Sequence, residues 1–138
     1  MCLVASLHGT SIVSGSGDGT IIIWNAESGT IVHEWLAHFR GVHALALSPD
    51  NQRLISANGV EQTFVVWDVN KGVHKAAAFE DHMGWMNTCI WSPDGALLAS
   101  MSTNGTIRIL DALTFEQLDQ LERPPGHHLH RLSRFIAQ

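Results

Sequence analysis

The sequence predicts an all-β fold built from repeated four-stranded antiparallel units, and three landmarks in the chain support this prediction. The threonines that open similar apolar stretches lie 43 residues apart, at Thr20, Thr63 and Thr106. A Ser-Pro-Asp turn at 48–50 recurs 44 residues later at 92–94, and His38 and His82 are also 44 residues apart. Three independent landmarks at nearly one period indicate a tandem structural repeat.

Each repeat unit contains four short stretches typical of strands, separated by turn residues. In the middle unit these stretches are 42–47, 53–57, 63–68 and 73–79. The Ser-Pro-Asp-Asn run at 48–51 predicts a turn, because proline fixes φ and asparagine tolerates a positive φ. Asp18-Gly19 and Asn104-Gly105 are strong signals for tight hairpins.

The inner strands are apolar at consecutive positions, as in 20–24 and 96–99, which indicates that both faces of each sheet are covered. The stretch 30–35 alternates more clearly and is predicted to be an outermost strand. Radially stacked blades of a β-propeller cover both faces of every sheet, whereas an isolated meander does not. The pattern therefore favours a propeller.

These residues resemble the WD-repeat (WD40) family of β-propellers over about residues 1–123. The middle copy matches the family pattern best, with His38, Ser56 and Trp67-Asp68 at the expected positions. Other copies depart from it, since Asn25 follows Trp24 and Leu110 replaces the third tryptophan.

The resemblance implies a hydrogen-bonded set of His, Ser, an acidic turn residue and Trp that braces each blade. The residues at these positions are His38, Ser56, Glu61, Trp67, Ser14, Asp18, Trp24, His82 and Ser100. Such a set is physically reasonable, because buried polar atoms need hydrogen-bond partners. Leu110 cannot donate a hydrogen bond, so the third blade is expected to depend more on packing.

The repeat phase predicts about three blades that do not close a ring. Residues 1–37 form a partial first blade lacking most of its first strand, 38–79 the second and 80–123 the third. Residues 124–138 are expected to be a linker and the first strand of a truncated next blade. Because propellers use about four to eight blades, we expect a part of a longer propeller or self-association through open blade edges.

Composition excludes several classes of protein. The chain is 45% apolar and 15% charged, which argues against disorder, and its net charge of −5 disfavours a nucleic-acid binder. No apolar run reaches the roughly 18 residues that a membrane span needs, so no membrane association is expected. Cys2 and Cys89 provide no disulfide framework, so we expect an intracellular protein, cytoplasmic in preference to nuclear.

The sequence lacks the motifs of common enzymes, metal sites and cofactor sites. No Gly-x-Ser-x-Gly, His-Glu-x-x-His, Cys-x-x-Cys or Walker loop occurs, so catalytic residues and cofactors are expected to be absent. The glycine-rich run 15–20 leads into a strand and not into a helix, which favours a turn over a phosphate loop. His127, His128 and His130 are clustered, but a loop leading into the next strand is favoured over a metal site.

The candidate binding residues follow the repeat histidines. Phe39 and Arg40 come after His38, and Met83 and Trp85 come after His82. Aromatic residues, methionine and arginine are enriched at interface hot spots, and loops carry function on rigid scaffolds. The alternative is that Phe39 or Trp85 packs into the core between blades, where Trp91 is predicted to lie.

The sequence therefore predicts a non-catalytic scaffold whose partners are other proteins. Two alternatives remain: a propeller enzyme or small-ligand binder that uses the central channel, and a non-functional remnant of a longer gene. An enzyme or ligand-binding site in the central channel requires clustered ionisable residues at equivalent positions of several blades, and the sequence has no such cluster. Fold alone does not choose the partner.

Overall fold

The computed structural model describes residues 2–6, 9–58, 63–69, 74–80, 86–102 and 105–121, and within these ranges it contains twelve strands and no helix. The first sheet has the order β1 (Cys2–Ala5), β2 (Ser11–Gly15), β3 (Thr20–Asn25) and β4 (Ile31–Leu36). The second has β5 (Ala44–Leu47), β6 (Arg53–Asn58), β7 (Thr63–Asp68) and β8 (His74–Glu80). The third has β9 (Met86–Trp91), β10 (Leu97–Ser102), β11 (Ile107–Asp111) and β12 (Gln117–Leu121).

The predicted all-β fold of three four-stranded antiparallel sheets is confirmed, and the three sheets do not close a ring. The bounds of β7 coincide with the predicted 63–68, and the bounds of the other three strands of the middle unit differ from the predicted ones by one or two residues. The first sheet includes a first strand, β1, which has four residues, as does β5. The repeat phase had predicted a partial first blade, residues 1–37, that lacks most of its first strand.

The Ser-Pro-Asp turn forms as the sequence predicts, and its serine holds the turn closed. Ser48 Oγ donates to Asp50 Oδ1 over 2.5 Å and accepts the backbone N–H of Arg53 over 3.0 Å. The hydroxyl of Ser48 holds the pKa of the Asp50 carboxyl below its ordinary value. Asn51 has a φ of 62°, the positive value that asparagine tolerates.

Consecutive residues of β6 point into different cores, which explains the continuous apolar character of this strand. Leu54 packs in the core between the first and second sheets, together with Ile21 and Trp67. Its neighbour Ile55 packs in the core between the second and third sheets, together with Trp91. The prediction that Trp91 lies in the core is thus confirmed. The second sheet is covered on both faces.

The stack has two ends with different connections. We call one the His38 end; it carries the β2–β3 turn and the connection from β4 to β5. We call the other the Pro49 end; it carries the β1–β2, β5–β6 and β9–β10 turns. β4 lies at the edge of its sheet and is mostly exposed, which confirms the prediction of an outermost strand.

Candidate interaction surface

The connection between β4 and β5, residues 37–43, alternates between anchored and exposed residues. His38 is buried, with 3% of its surface exposed, whereas Phe39 is 88% exposed. Arg40 is also exposed, and Gly41 and Val42 are buried. The connection therefore presents an aromatic and a cationic side chain between buried residues.

Backbone hydrogen bonds fix this connection to the neighbouring β2–β3 turn. The N–H groups of Ala37 and His38 both donate to the carbonyl of Gly19, over 2.8 and 3.2 Å. The N–H of Val42 donates to the carbonyl of Ser16 over 2.9 Å. Because both ends of the segment are bonded to one tight turn, Phe39 and Arg40 project from a defined backbone.

Glycine is required where the turn and the connection meet. Gly19 has a φ of 91°, and a Cβ placed on it would lie 1.6 Å from the carbonyl oxygen of His38. A Cβ on Gly41 would lie 2.9 Å from the carbonyl oxygen of Gly17. Asn58, fully buried on β6, donates from Nδ2 to the Gly41 carbonyl over 2.5 Å. The two segments are therefore in direct backbone contact.

The structure brings His38, Ser56 and Trp67 of the second repeat together below this connection. Trp67 Nε1 donates to Ser56 Oγ over 2.8 Å, and His38 Nε2 lies 2.7 Å from the same oxygen. Ser56 is fully buried, so these contacts satisfy polar atoms that water does not reach. The ring of Trp35, on β4, packs edge-on against Trp67 with centroids 5.5 Å apart.

The first sheet contains a smaller version of this set. Trp24 Nε1 donates to Ser14 Oγ over 2.9 Å in a partly buried position. Asp18 does not join this pair; it is exposed in the turn, where its Oδ1 accepts the backbone N–H of Thr20 over 2.9 Å. That backbone hydrogen bond, with side-chain hydrogen bonds to Thr20 and Ser16, lowers the pKa of the Asp18 carboxyl. The acidic residue thus stabilises the turn itself.

In the third sheet an apolar residue replaces the tryptophan. Leu110 is buried in the core shared with the second sheet, and Ser100 on β10 is also buried. Four of the predicted residues, Glu61, His82, Met83 and Trp85, lie outside the described residues. The roles predicted for these four stay predictions.

Sequence reasoning missed an inter-sheet contact at the Pro49 end. The guanidinium of Arg53 lies 4.8 Å from the ring centroid of Trp91, and its Nη1 donates to the carbonyl of Ala112 over 2.7 Å. The indole of Trp91 donates in turn to the carbonyl of Ala46 over 3.0 Å. A repeat alignment could have flagged Arg53, because a charged residue there starts a strand whose next five residues are buried.

The described residues show no group suited to hold a metal ion. Within those ranges no three or more His, Cys, Asp or Glu side chains converge. The cluster of His127, His128 and His130 lies outside them. The same ranges contain no helix long and apolar enough to cross a membrane.

Replacing His38 with alanine is expected to lower the free energy of unfolding by about 1–3 kcal/mol, because Ser56 loses a buried partner. His33→Ala, on the mostly exposed strand β4, is the control and should change it by less than about 1 kcal/mol. Urea unfolding of the three proteins measures both values. A His38→Ala protein as stable as the unsubstituted chain would show that this contact does not brace the sheet.

The sequence of this chain is similar to that of a known protein family. The family model WD40 (WD domain, G-beta repeat) matches residues 1–25, 29–68 and 74–111. The guanine nucleotide-binding protein subunit beta-1 of Nicotiana tabacum is 28% identical over 122 residues, covering 85% of this chain and 32% of that protein. The chain thus spans about a third of the length of this relative.

Two solved structures share the fold. The crystal structure of RRP9 WD40 repeats superimposes with a TM-score of 0.81 at 22% identity, covering 92% of this chain and 38% of that chain. The structure of U3-55K gives the same TM-score and identity, with 92% and 39% coverage. At this identity the likeness concerns the fold.

Proposed function

Because the chain belongs to the WD40 repeat family, we propose that it is a non-catalytic scaffold that presents a protein-binding surface within a larger propeller or multiprotein complex. The surface we assign is the connection at the His38 end, with Phe39 and Arg40 as its contact residues. The relative from Nicotiana tabacum is by its name a subunit, and therefore a component of an assembly.

The exposure of Phe39 is the observation that carries this proposal. A phenylalanine that is 88% exposed gains nothing from folding, since its ring stays in water. Its neighbour His38 is buried and the backbone on both sides is hydrogen-bonded to the β2–β3 turn. A partner that covers the ring gains apolar burial without having to order the loop, which is the advantage of a preorganised contact.

Arg40 adds a polar component to the same surface. It lies next to Phe39 and is exposed, and arginine is one of the residue types enriched at interface hot spots. An aromatic and an arginine side by side suit a partner surface that has an apolar pocket beside an acidic or carbonyl group. Partner proteins with such a surface are the class we expect.

We further propose that the protein acts inside the cell, and in the cytoplasm in preference to the nucleus. Cys89 is buried between the second and third sheets. The chain has only two cysteines and no disulfide framework, which is compatible with a reducing compartment.

The test compares Phe39→Ala and Arg40→Ala with Leu113→Ala. Leu113 is a matched control because it is 80% exposed in a turn at the Pro49 end. Partners are captured from extract with the immobilised chain, and the affinity of a recovered partner is then measured by calorimetry. Phe39→Ala and Arg40→Ala should each weaken binding about tenfold or more, whereas all three variants should stay within about 1 kcal/mol in stability.

Equal affinity of Phe39→Ala, Leu113→Ala and the unsubstituted chain would overturn the assignment of this surface. Loss of binding in Leu113→Ala alone would move the surface to the Pro49 end. Either outcome is distinguishable from misfolding, because the melting temperature of each variant is measured on the same samples.

A further inference from the structure

A cavity of about 430 Å³ lies between the first and second sheets at the Pro49 end. Its lining combines apolar and polar side chains. The apolar lining residues are Val13, Ile23, Val32, Leu47 and Val69. The polar lining residues are Ser6, Thr10, Ser11, His33 and Asn51. This volume and this mixture of surfaces are typical of sites that bind small groups.

The repeat explains where this cavity comes from. The N–H of Ser6 donates to the carbonyl of Ser11, and the N–H of Ser48 donates in the same way to the carbonyl of Arg53. Ser11 and Arg53 are therefore the same repeat position. Val69 and Ala112 also share a repeat position. The N–H of Val69 donates to the carbonyl of Gln52, directly before β6, and the N–H of Ala112 donates to the carbonyl of Ala96, directly before β10.

The corresponding space between the second and third sheets is filled from within the chain. Arg53 stacks on the ring of Trp91 and donates to the carbonyl of Ala112. The indole of Trp91 donates to the carbonyl of Ala46. The indole of Trp91 and the guanidinium of Arg53 thus fill this space, and each donates to a backbone carbonyl.

Between the first and second sheets both large groups are replaced by smaller ones. Ser11 stands at the position of Arg53, and Leu47 stands at the position of Trp91. The carbonyls of Val4 and Val69 occupy the positions of the two carbonyls that the indole and the guanidinium bind in the other interface. The cavity therefore lies where the other interface holds an indole and a guanidinium.

We propose that this cavity binds the indole side chain of a tryptophan supplied by a partner polypeptide. The ring would pack on the apolar side chains of Val13, Leu47 and Val69, and its N–H would donate to a polar group that lines the same cavity. None of the described lining residues is Asp, Glu, Lys or Arg. A neutral ring is favoured over a guanidinium, because a cation here would lose water without gaining a counter-charge.

This site is independent of the surface proposed around Phe39. Ser11, Leu47 and Asn51 lie at the Pro49 end, whereas Phe39 lies in the connection at the opposite end of the sheets. A partner could contact either end alone. Each proposal is therefore tested by its own measurement.

The test uses N-acetyl-L-tryptophanamide as the probe and the isotopically labelled full chain in nuclear magnetic resonance titrations. Saturable shifts are expected at the backbone amides of Ser11, Asn51 and Val69, with a dissociation constant on the order of 1 mM for a ligand of this size. Phe39 and Arg40 should not shift. N-acetyl-L-leucinamide, which has no ring, and N-acetyl-L-argininamide, which is charged, should each bind about tenfold more weakly.

The double substitution S11R/L47W rebuilds the Arg53–Trp91 arrangement in the cavity. It should weaken probe binding about tenfold or more, and it should raise the melting temperature because it fills a cavity. Leu47→Trp alone is the smaller second variant, expected to weaken binding in the same direction if the double variant does not fold. Ile12→Trp is the control; it adds an indole to the exposed face of the same strand β2 and should leave binding unchanged.

Three results would overturn the proposal. The first is an absence of saturable shifts at the cavity residues of the unsubstituted chain. The second is equal or tighter binding of the leucine or arginine probe. The third is undiminished binding to a folded S11R/L47W or Leu47→Trp protein.

Discussion

Replacing Trp67 with alanine is expected to lower the free energy of unfolding by about 3–5 kcal/mol. The side chain is 9% exposed, packs in the core between the first and second sheets, and contacts Trp35 edge-on. Its removal leaves a cavity and also takes away the N–H that Ser56 Oγ accepts. Urea unfolding monitored by circular dichroism measures the loss.

Trp24→Ala and Leu110→Ala are the matched controls for this prediction. Trp24 occupies the same repeat position but is only partly buried, so its loss should be smaller. Leu110 is buried at that position but has no polar partner to leave unsatisfied, so its loss should equal that of Trp67 or fall below it. A Trp24→Ala protein less stable than Trp67→Ala would contradict the view that the second sheet depends most on this position.

Gly19→Ala is expected to lower the free energy of unfolding by about 3 kcal/mol or more. Two causes add together: the backbone has a φ of 91°, and the new Cβ would lie 1.6 Å from the carbonyl oxygen of His38. The β2–β3 turn and the connection to β5 must then separate, which also displaces His38 from Ser56. Thermal unfolding gives the size of the effect, and the imidazole resonances of His38 report the displacement.

Gly29→Ala separates the two causes. Gly29 also has a positive φ, 73°, but nothing lies within 4 Å of the Cβ that it would acquire. This variant should therefore lose only about 1–2 kcal/mol, the conformational term alone. If Gly19→Ala lost no more than Gly29→Ala, the close backbone approach at His38 would have no energetic importance.

The repeat period allowed the fold to be predicted, and both the fold and the family resemblance are confirmed. Strand positions followed because turn residues and apolar runs are local signals, as at Asn51 and in β7. The contact of His38 with Ser56 and Trp67 could be anticipated from the family pattern. The turn at Asp18-Gly19 was also predicted, but the partner of the Asp18 carboxylate was not, because an exposed carboxylate accepts the nearest backbone N–H, here that of Thr20.

The features that escaped sequence reasoning depend on which sheets touch. Arg53 and Trp91 are far apart in sequence, and neither residue alone indicates the stacking that joins the second and third sheets. The cavity beside Ser11 and Leu47 is equally invisible, because it results from small side chains at two positions that only the packing brings together. Whether Phe39 was a core or a surface residue was also open, since either environment accepts an aromatic ring in a loop.

The two faces of each sheet differ, and this gives the stack a direction. The Ile21 face of the first sheet packs against the Trp67 face of the second, and the Phe64 face of the second packs against the Leu110 face of the third. These interfaces are heterologous, because one kind of face always meets the other kind. Heterologous contacts close into a ring when the rotation at each step permits it and otherwise extend as an open filament. The number of sheets in such an array is therefore set by the rotation between neighbours, while the apolar side chains set only which face meets which.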